Sequence, residues 1–118
     1  MQPTILENVS DTMPVMCAEV FGPVVALTSF DDFDAALTAA DQSVYGLAAG
    51  VYTRDINKAL RAVQRLNVGG VMINDVPTFR VDQMPYGGMK DSGIGREGPR
   101  FAVEEMTALK LVVINVGV

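Results

Sequence analysis

Between residues 24 and 74 the sequence switches repeatedly between an extended, apolar pattern and a helical one, and that alternation admits few architectures. Residues 24–30, Val-Val-Ala-Leu-Thr-Ser-Phe, are β-branched and apolar and suit a largely buried strand. Phe33, Ala36, Leu37 and Ala40 then recur at three- and four-residue spacing behind a candidate N-cap, Asp31 or Asp32, which predicts a helix over residues 32–41. A second extended run at 48–52 precedes a second helical pattern at 56–66, ended by Asn67 and Gly69-Gly70. That helix is expected to turn Ile56, Leu60 and Val63 inward. Arg54, Lys58, Arg61 and Arg65 then form a solvated outer stripe, in preference to an anion site. A third strand is expected over 71–74, and residues 3–6 look like a strand entering from a preceding segment. Strands alternating with helices predict a parallel sheet with right-handed crossovers, an α/β fold.

Beyond Asn74 the pattern breaks. Residues 77–98 are rich in Gly and Pro and predict a long ordered loop, of the kind that is usually functional. Pro99 suits the first turn of a helix running to Met106. Residues 109–116, dominated by Leu, Val and Ile, predict a last strand with nothing after it to cover it. Such a strand is expected to add to a sheet elsewhere, so a homo-oligomer is expected. The chain divides into residues 1–98, a sheet-and-loop unit, and 99–118, a helix and an oligomerisation strand.

Composition removes several function classes. Of the 118 residues 49% are hydrophobic and 19% charged, which opposes disorder and leaves length for one domain with a modest core. A formal net charge of −5 opposes nucleic-acid binding. No apolar run reaches the length of a membrane span, and the start has no basic segment followed by an apolar one, so a soluble, cytoplasmic protein is expected. There is one cysteine and no histidine, which rules out an internal disulfide, a Ser-His or Cys-His nucleophile pair and the usual zinc sites; no metal is expected.

Short motifs give little alone. Gly93-Ile94-Gly95-Arg96-Glu97-Gly98 matches the dinucleotide fingerprint in letters, yet a loop precedes it and the chain ends before a second strand could carry the acidic ribose ligand. Its glycines read as turn residues. Cys17 has Glu19 nearby and no evident base or cation, and reads as an inert small residue. Glu19 and Phe21 lie two positions apart on an extended segment. They could serve one ligand twice, the carboxylate accepting from ribose hydroxyls and the ring packing on a heterocycle. From the residues alone, a surface carboxylate beside a core ring is the preferred reading.

Five segments in order change that balance. Pro3-Thr4-Ile5-Leu6, Glu19-Val20-Phe21-Gly22-Pro23-Val24, the run from Tyr45-Gly46-Leu47 to Thr53-Arg54-Asp55, Gly70-Val71-Met72-Ile73-Asn74-Asp75, and the run from Met84-Pro85-Tyr86-Gly87-Gly88 to Gly95-Arg96-Glu97 resemble the C-terminal part of the NAD(P)-dependent aldehyde dehydrogenases. The resemblance covers residues 3–115 in one register. It implies a piece of a parallel-sheet catalytic domain from a longer enzyme that oxidises an aldehyde to an acid. In that family a cysteine thiolate attacks the carbonyl, hydride passes to NAD or NADP, and a glutamate-activated water releases the acid. The nucleophilic cysteine, the base and the Gly-rich nucleotide domain lie upstream of the matching segment, so the resemblance assigns no catalytic residue here. Cys17 inherits nothing, and the isolated chain is expected to be inactive.

By the same resemblance Glu19 holds the nicotinamide-side ribose and Phe21 positions the nicotinamide ring. Arg80 and Tyr86 fall on the loop at the mouth of the substrate tunnel. Phe79-Arg80-Val81-Asp82 is similar to members acting on lactaldehyde, glyceraldehyde 3-phosphate or phosphonoacetaldehyde. Two readings of Arg80 stand: a fork for a phosphate, phosphonate or carboxylate, or a surface pair with Asp82. The resemblance also places residues 109–115 in the oligomerisation sheet of a neighbouring subunit. The rival to an enzyme segment is a non-catalytic module that associates with itself or an intact relative through that strand.

Overall fold

The computed structural model describes residues 1–117; Val118, the last residue of the expected second unit, lies outside them. In chain order the elements are β1 (Thr4–Glu7), α1 (Pro14–Cys17), β2 (Val24–Leu27), α2 (Phe33–Asp41), β3 (Tyr45–Gly46), β4 (Ala48–Val51), α3 (Ile56–Arg65), β5 (Gly70–Ile73), β6 (Met89–Lys90) and α4 (Pro99–Met106). The one-turn α1, opened by Pro14, was not expected from the sequence. Among the described residues no helix is long and apolar enough to cross a membrane.

Helix boundaries follow local chemistry. Asp32 caps α2 by accepting from the Ala35 amide at 2.7 Å, and Asp55 caps α3 by accepting from Asn57 at 2.8 Å and Lys58 at 3.4 Å. Pro99 starts α4 behind Gly98, whose φ of 121° is a conformation that side chains resist; a Cβ there would also press on the Met84 carbonyl and the Phe101 ring.

The α/β alternation holds, and the long ladders are parallel as expected: β1 with β2 from Thr4↔Val24 to Glu7↔Leu27, and β4 with β5 from Ala48↔Gly70 to Val51↔Ile73. They do not join into one sheet. No ladder connects β2 to β4 among the described residues. Instead an open, mainly apolar groove of about 670 Å³ is lined by Phe30 after β2, by Phe33, Ala36 and Ala40 of α2, and by Ala49 and Val51 of β4.

The core is smaller than the length allows. Leu37, Ala62 and Leu66 form a buried cluster, against which Phe33, Ala49, Val51, Val68 and Val71 pack part-buried; Ala59 is also buried. The radius of gyration is 19.8 Å, against roughly 13–14 Å for a compact domain of this length. The accessible surface is 9642 Å², against about 6,200 Å² for a compact monomer of this size. The chain folds locally and leaves broad apolar faces open.

The rotation of α3 overturns one expectation. Ile56, Leu60 and Val63 are 68%, 55% and 51% exposed, while the alanines Ala59 and Ala62 are buried. The basic stripe of Arg54, Lys58, Arg61 and Arg65 stays exposed as expected, yet three of its side chains also reach across to α2. Arg61 Nε lies 2.6 Å from Asp34 Oδ1, Arg65 Nη2 donates to Thr38 Oγ1 at 3.0 Å, and Lys58 Nζ lies 5.5 Å from the centre of the Phe33 ring. These contacts set the helix rotation, and alanines at the contact let the backbones approach closely. The larger residues fall on a flank that is left mostly open among the described residues.

The expected last strand also differs. Residues 109–116 form no ladder among the described residues, and Leu109, Leu111 and Val113 are almost fully exposed. A strand needs a partner edge, and none lies against this segment.

This packing predicts opposite responses at neighbouring positions of α3. Ala62→Leu overfills a site with no free space and is expected to destabilise the chain by about 1–3 kcal/mol, whereas Leu60→Ala is expected to cost less than about 0.5 kcal/mol. Urea midpoints of the two variants measure the difference, and a larger loss at Leu60 would contradict the observed rotation.

Candidate functional site

The loop between β5 and α4 is ordered by side chains that bond its backbone. Lys90, at a φ of 54°, sends its ammonium to Asp41 O at 2.6 Å, Asp41 Oδ1 at 3.0 Å and Ser43 O at 3.2 Å. Asp41 Oδ1 also accepts from the Asn67 amide at 2.7 Å. The Asn67 bond first, and then the Lys90 bond, hold the Asp41 carboxyl below its ordinary value of 3.8. The Gly46 amide donates to Ser92 Oγ at 2.9 Å, so β3 and the loop are joined by β6 pairing and by side chain. Arg96 Nη1 donates to Gly88 O at 3.0 Å and Gly95 O at 2.7 Å. Gly88 cannot carry a side chain here, because a Cβ would collide with Ser92.

Tyr86 and Glu97 face each other across this frame. Tyr86 N donates to Glu97 O at 3.1 Å, and Glu97 N donates back to Tyr86 O at 2.6 Å, closing an antiparallel bridge. Arg80 lies over the pair: its guanidinium carbon is 4.2 Å from the centre of the Tyr86 ring, and Nη2 donates to Glu97 Oε2 at 3.2 Å. Arg80 thus meets Tyr86 as the sequence grouped them, but its ion-pair partner is Glu97. The alternative pair with Asp82 is not formed. Asp82 is close in sequence, whereas Glu97 is brought near by the bridge, a long-range contact. Both side chains are substantially exposed, so the ion pair is worth about 1 kcal/mol or less, and the stack over the ring adds about 0.5–1 kcal/mol. Nη1 and Nε of Arg80 make no hydrogen bond among the described residues, leaving donor positions for an incoming anion.

Sequence reasoning missed Glu97. It lies inside the glycine motif weighed as a dinucleotide fingerprint, where only the glycines were considered. Gly93, Gly95 and Gly98 have φ of 120°, 78° and 121° and serve turns. The strand before them, β6, is two residues long and antiparallel, so the rejection of that fingerprint stands.

Glu19 and Phe21 lie between α1 and β2, where Gly22 N bonds Val20 O at 2.9 Å and Val24 N bonds Gly22 O at 2.8 Å. These tight turns leave the Phe21 ring 93% exposed. Glu19 is exposed and makes no hydrogen bond or ion pair among the described residues. An uncovered ring beside a carboxylate with free oxygens fits the ribose and base of a dinucleotide; a phosphate cradle has no counterpart in this stretch. No hydrogen bond, ion pair or cation–π contact among the described residues joins this segment to the Arg80 loop. Cys17 is exposed, and its thiol donates to the Asp11 carbonyl at 3.0 Å.

Comparison with known proteins gives the same family as the motifs. The chain is 49% identical over 113 residues to the 3-sulfolactaldehyde dehydrogenase of Priestia megaterium, covering 96% of this chain and 24% of that protein. It is 48% identical to the lactaldehyde dehydrogenase of Methanococcus aeolicus, with the same coverage. The fold superposes on aldehyde dehydrogenase 21 from Physcomitrella patens, solved with the reaction product succinate, at a TM-score of 0.92 and 46% identity, over 98% of this chain and 24% of that one. It superposes on an aldehyde dehydrogenase from Bacillus cereus in its NAD+ complex at 0.90 and 39% identity, over 98% and 23%. The chain therefore spans about a quarter of the length of the relatives it matches. Residues 1–112 match the aldehyde dehydrogenase family, and the chain belongs to it.

Proposed function

We propose that this chain is a segment of an NAD(P)-dependent aldehyde dehydrogenase whose substrate carries an anionic group, and that the thiol nucleophile and the general base come from sequence outside these residues. Bound NAD or NADP supplies the hydride acceptor. Glu19 holds the hydroxyls of its nicotinamide-side ribose, and Phe21 packs on the ring and orients it. Support for this comes from their exposure: a ring 93% open to solvent is an unfilled apolar contact.

On the substrate side Arg80 binds the anion and Tyr86 holds Arg80 in place. The observation that carries this reading is the Arg80 stack: a guanidinium fixed on an aromatic face with donor positions free. The substrates and product that name several relatives support this: sulfolactaldehyde and aspartate semialdehyde each carry an anionic group besides the aldehyde, and succinate carries a carboxylate besides the one an aldehyde's oxidation forms. Lactaldehyde, which names another relative, carries none, so the two aldehydes make a paired test of charge reading. The cytoplasmic setting read from composition belongs to the same proposal, as does the division at residue 98.

A second reading has its own observation. The exposed apolar run at 109–116 suits a strand that pairs only with another subunit, as an oligomerisation element or as a free-standing association module. The purified chain is expected to sediment as an oligomer at micromolar concentration; a monodisperse monomer contradicts this.

Function is tested by grafting. The chain replaces its equivalent segment in the P. megaterium 3-sulfolactaldehyde dehydrogenase, and NAD(P) reduction is followed with aldehyde present. The graft is expected to turn over and the isolated chain to give none; an inactive graft, or an active isolated chain, overturns the assignment. In the graft, Arg80→Ala is expected to lower the preference for 3-sulfolactaldehyde over lactaldehyde, as a ratio of kcat/KM, by about ten- to a hundredfold, the loss of a hydrogen-bonded charge. These substrates differ only by the sulfonate. Equal losses on both would remove Arg80 from anion recognition.

A further inference from the structure

Glu97 has no part in the scheme above, yet among the described residues it is the one acidic group in contact with Arg80. Its backbone is held by both hydrogen bonds of the Tyr86 bridge, at 3.1 and 2.6 Å, so its carboxylate is presented across the ring on which Arg80 lies. The three residues form a closed unit: backbone to backbone between Tyr86 and Glu97, cation to ring between Arg80 and Tyr86, ion to ion between Arg80 and Glu97. Their segments are fixed by Arg96 on the Gly88 and Gly95 carbonyls and by Ser92 on Gly46. A carboxylate placed in this way does more than decorate the surface, because any anion reaching the guanidinium comes to lie beside it.

We propose that Glu97 is a resident counter-anion for Arg80, displaced or shared when the anionic end of a substrate arrives, and that its charge sets how strongly the loop separates anionic from neutral aldehydes. This rests on the reading of Arg80 as the substrate's anion site. Without substrate, Glu97 neutralises Arg80, so an uncharged aldehyde entering beside the loop does not pass an uncompensated cation. With an anionic substrate, a sulfonate or carboxylate takes the guanidinium edge left open by Nη1 and Nε, and the repulsion from Glu97 weakens its binding. Glu97 is a positioning residue here, acting through Arg80; the reaction itself involves no bond to it. The exposure of both side chains keeps the exchange shallow, since an ion pair in water is easily traded for another of equal charge.

The experiment uses the grafted enzyme, with 3-sulfolactaldehyde and lactaldehyde as probes. Glu97→Gln keeps the shape, the hydrogen-bond acceptor and the backbone bridge while removing the charge. It is expected to lower the KM for 3-sulfolactaldehyde relative to that for lactaldehyde by about two- to fivefold, with the kcat ratio unmoved, the scale of one exposed ion pair. In the Arg80→Ala background the same substitution is expected to leave the KM ratio where Arg80→Ala alone puts it. Three outcomes overturn the proposal. A KM change of the same size for both aldehydes would mark a purely structural role. An unchanged KM ratio, in an enzyme where Arg80→Ala still costs the sulfonate its preference, removes the counter-anion and leaves the anion site intact. If Arg80→Ala itself fails to change the preference, the anion site falls first and the counter-anion with it.

Discussion

Small side chains at one helix contact hold the central part of this chain together. Ala62 lies in the buried cluster with Leu37 and Leu66, against which Ala49, Val51 and Val71 of β4 and β5 pack, and three cations of α3 reach across to Asp34, Thr38 and Phe33 of α2. The loop is tied to this unit by polar bonds: Asp41 at the end of α2 receives Asn67 and Lys90, and Lys90 anchors the loop. The arrangement keeps local geometry well defined with a very small apolar core. It also leaves the flank of Ile56, Leu60 and Val63, the groove beside β4 and the run at 109–116 uncovered. Apolar faces this broad are stable only against further protein, in the same chain length as the relatives or in a partner.

The sequence was most legible where structure is set within a few residues. Asp32 as a cap, Pro99 as a helix start and the β-branched runs placed the principal helices and strands within three residues. It was least legible where a choice depends on what lies opposite. Periodicity put the largest apolar residues of α3 inside, but the rotation of α3 is set by contacts with α2, and those contacts favour the alanines. Residues 109–116 have the composition of a strand and no edge to pair with, so composition alone could not make them one. The short α1 and the two-residue β6 carry too few residues to show a period.

The candidate site divides in the same manner. Arg80 and Tyr86 were grouped by the family resemblance, which put both on one loop, and they do meet. Glu97 is seventeen positions from Arg80, and only the folding of the loop back on itself brings it there. The spacing of Glu19 and Phe21 alone favoured a surface carboxylate beside a core ring, and only the family resemblance paired them; the ring is in fact exposed.

In the proposed reading of the Arg80 loop as a charge reader, reach conflicts with order. Arginine's long side chain can meet an anion at many positions, and an arginine free to do so discriminates poorly, because binding must first order it. Here the Tyr86 ring removes much of that freedom before any substrate arrives, and the ring is held by the bridge to Glu97. The same bridge delivers the carboxylate that opposes the cation, so order and attenuation come from one structural unit. On the proposed function, a loop built this way gains selectivity from preorganisation while keeping its affinity moderate, which suits release of an acid bearing the same anionic group the proposed substrate carries in.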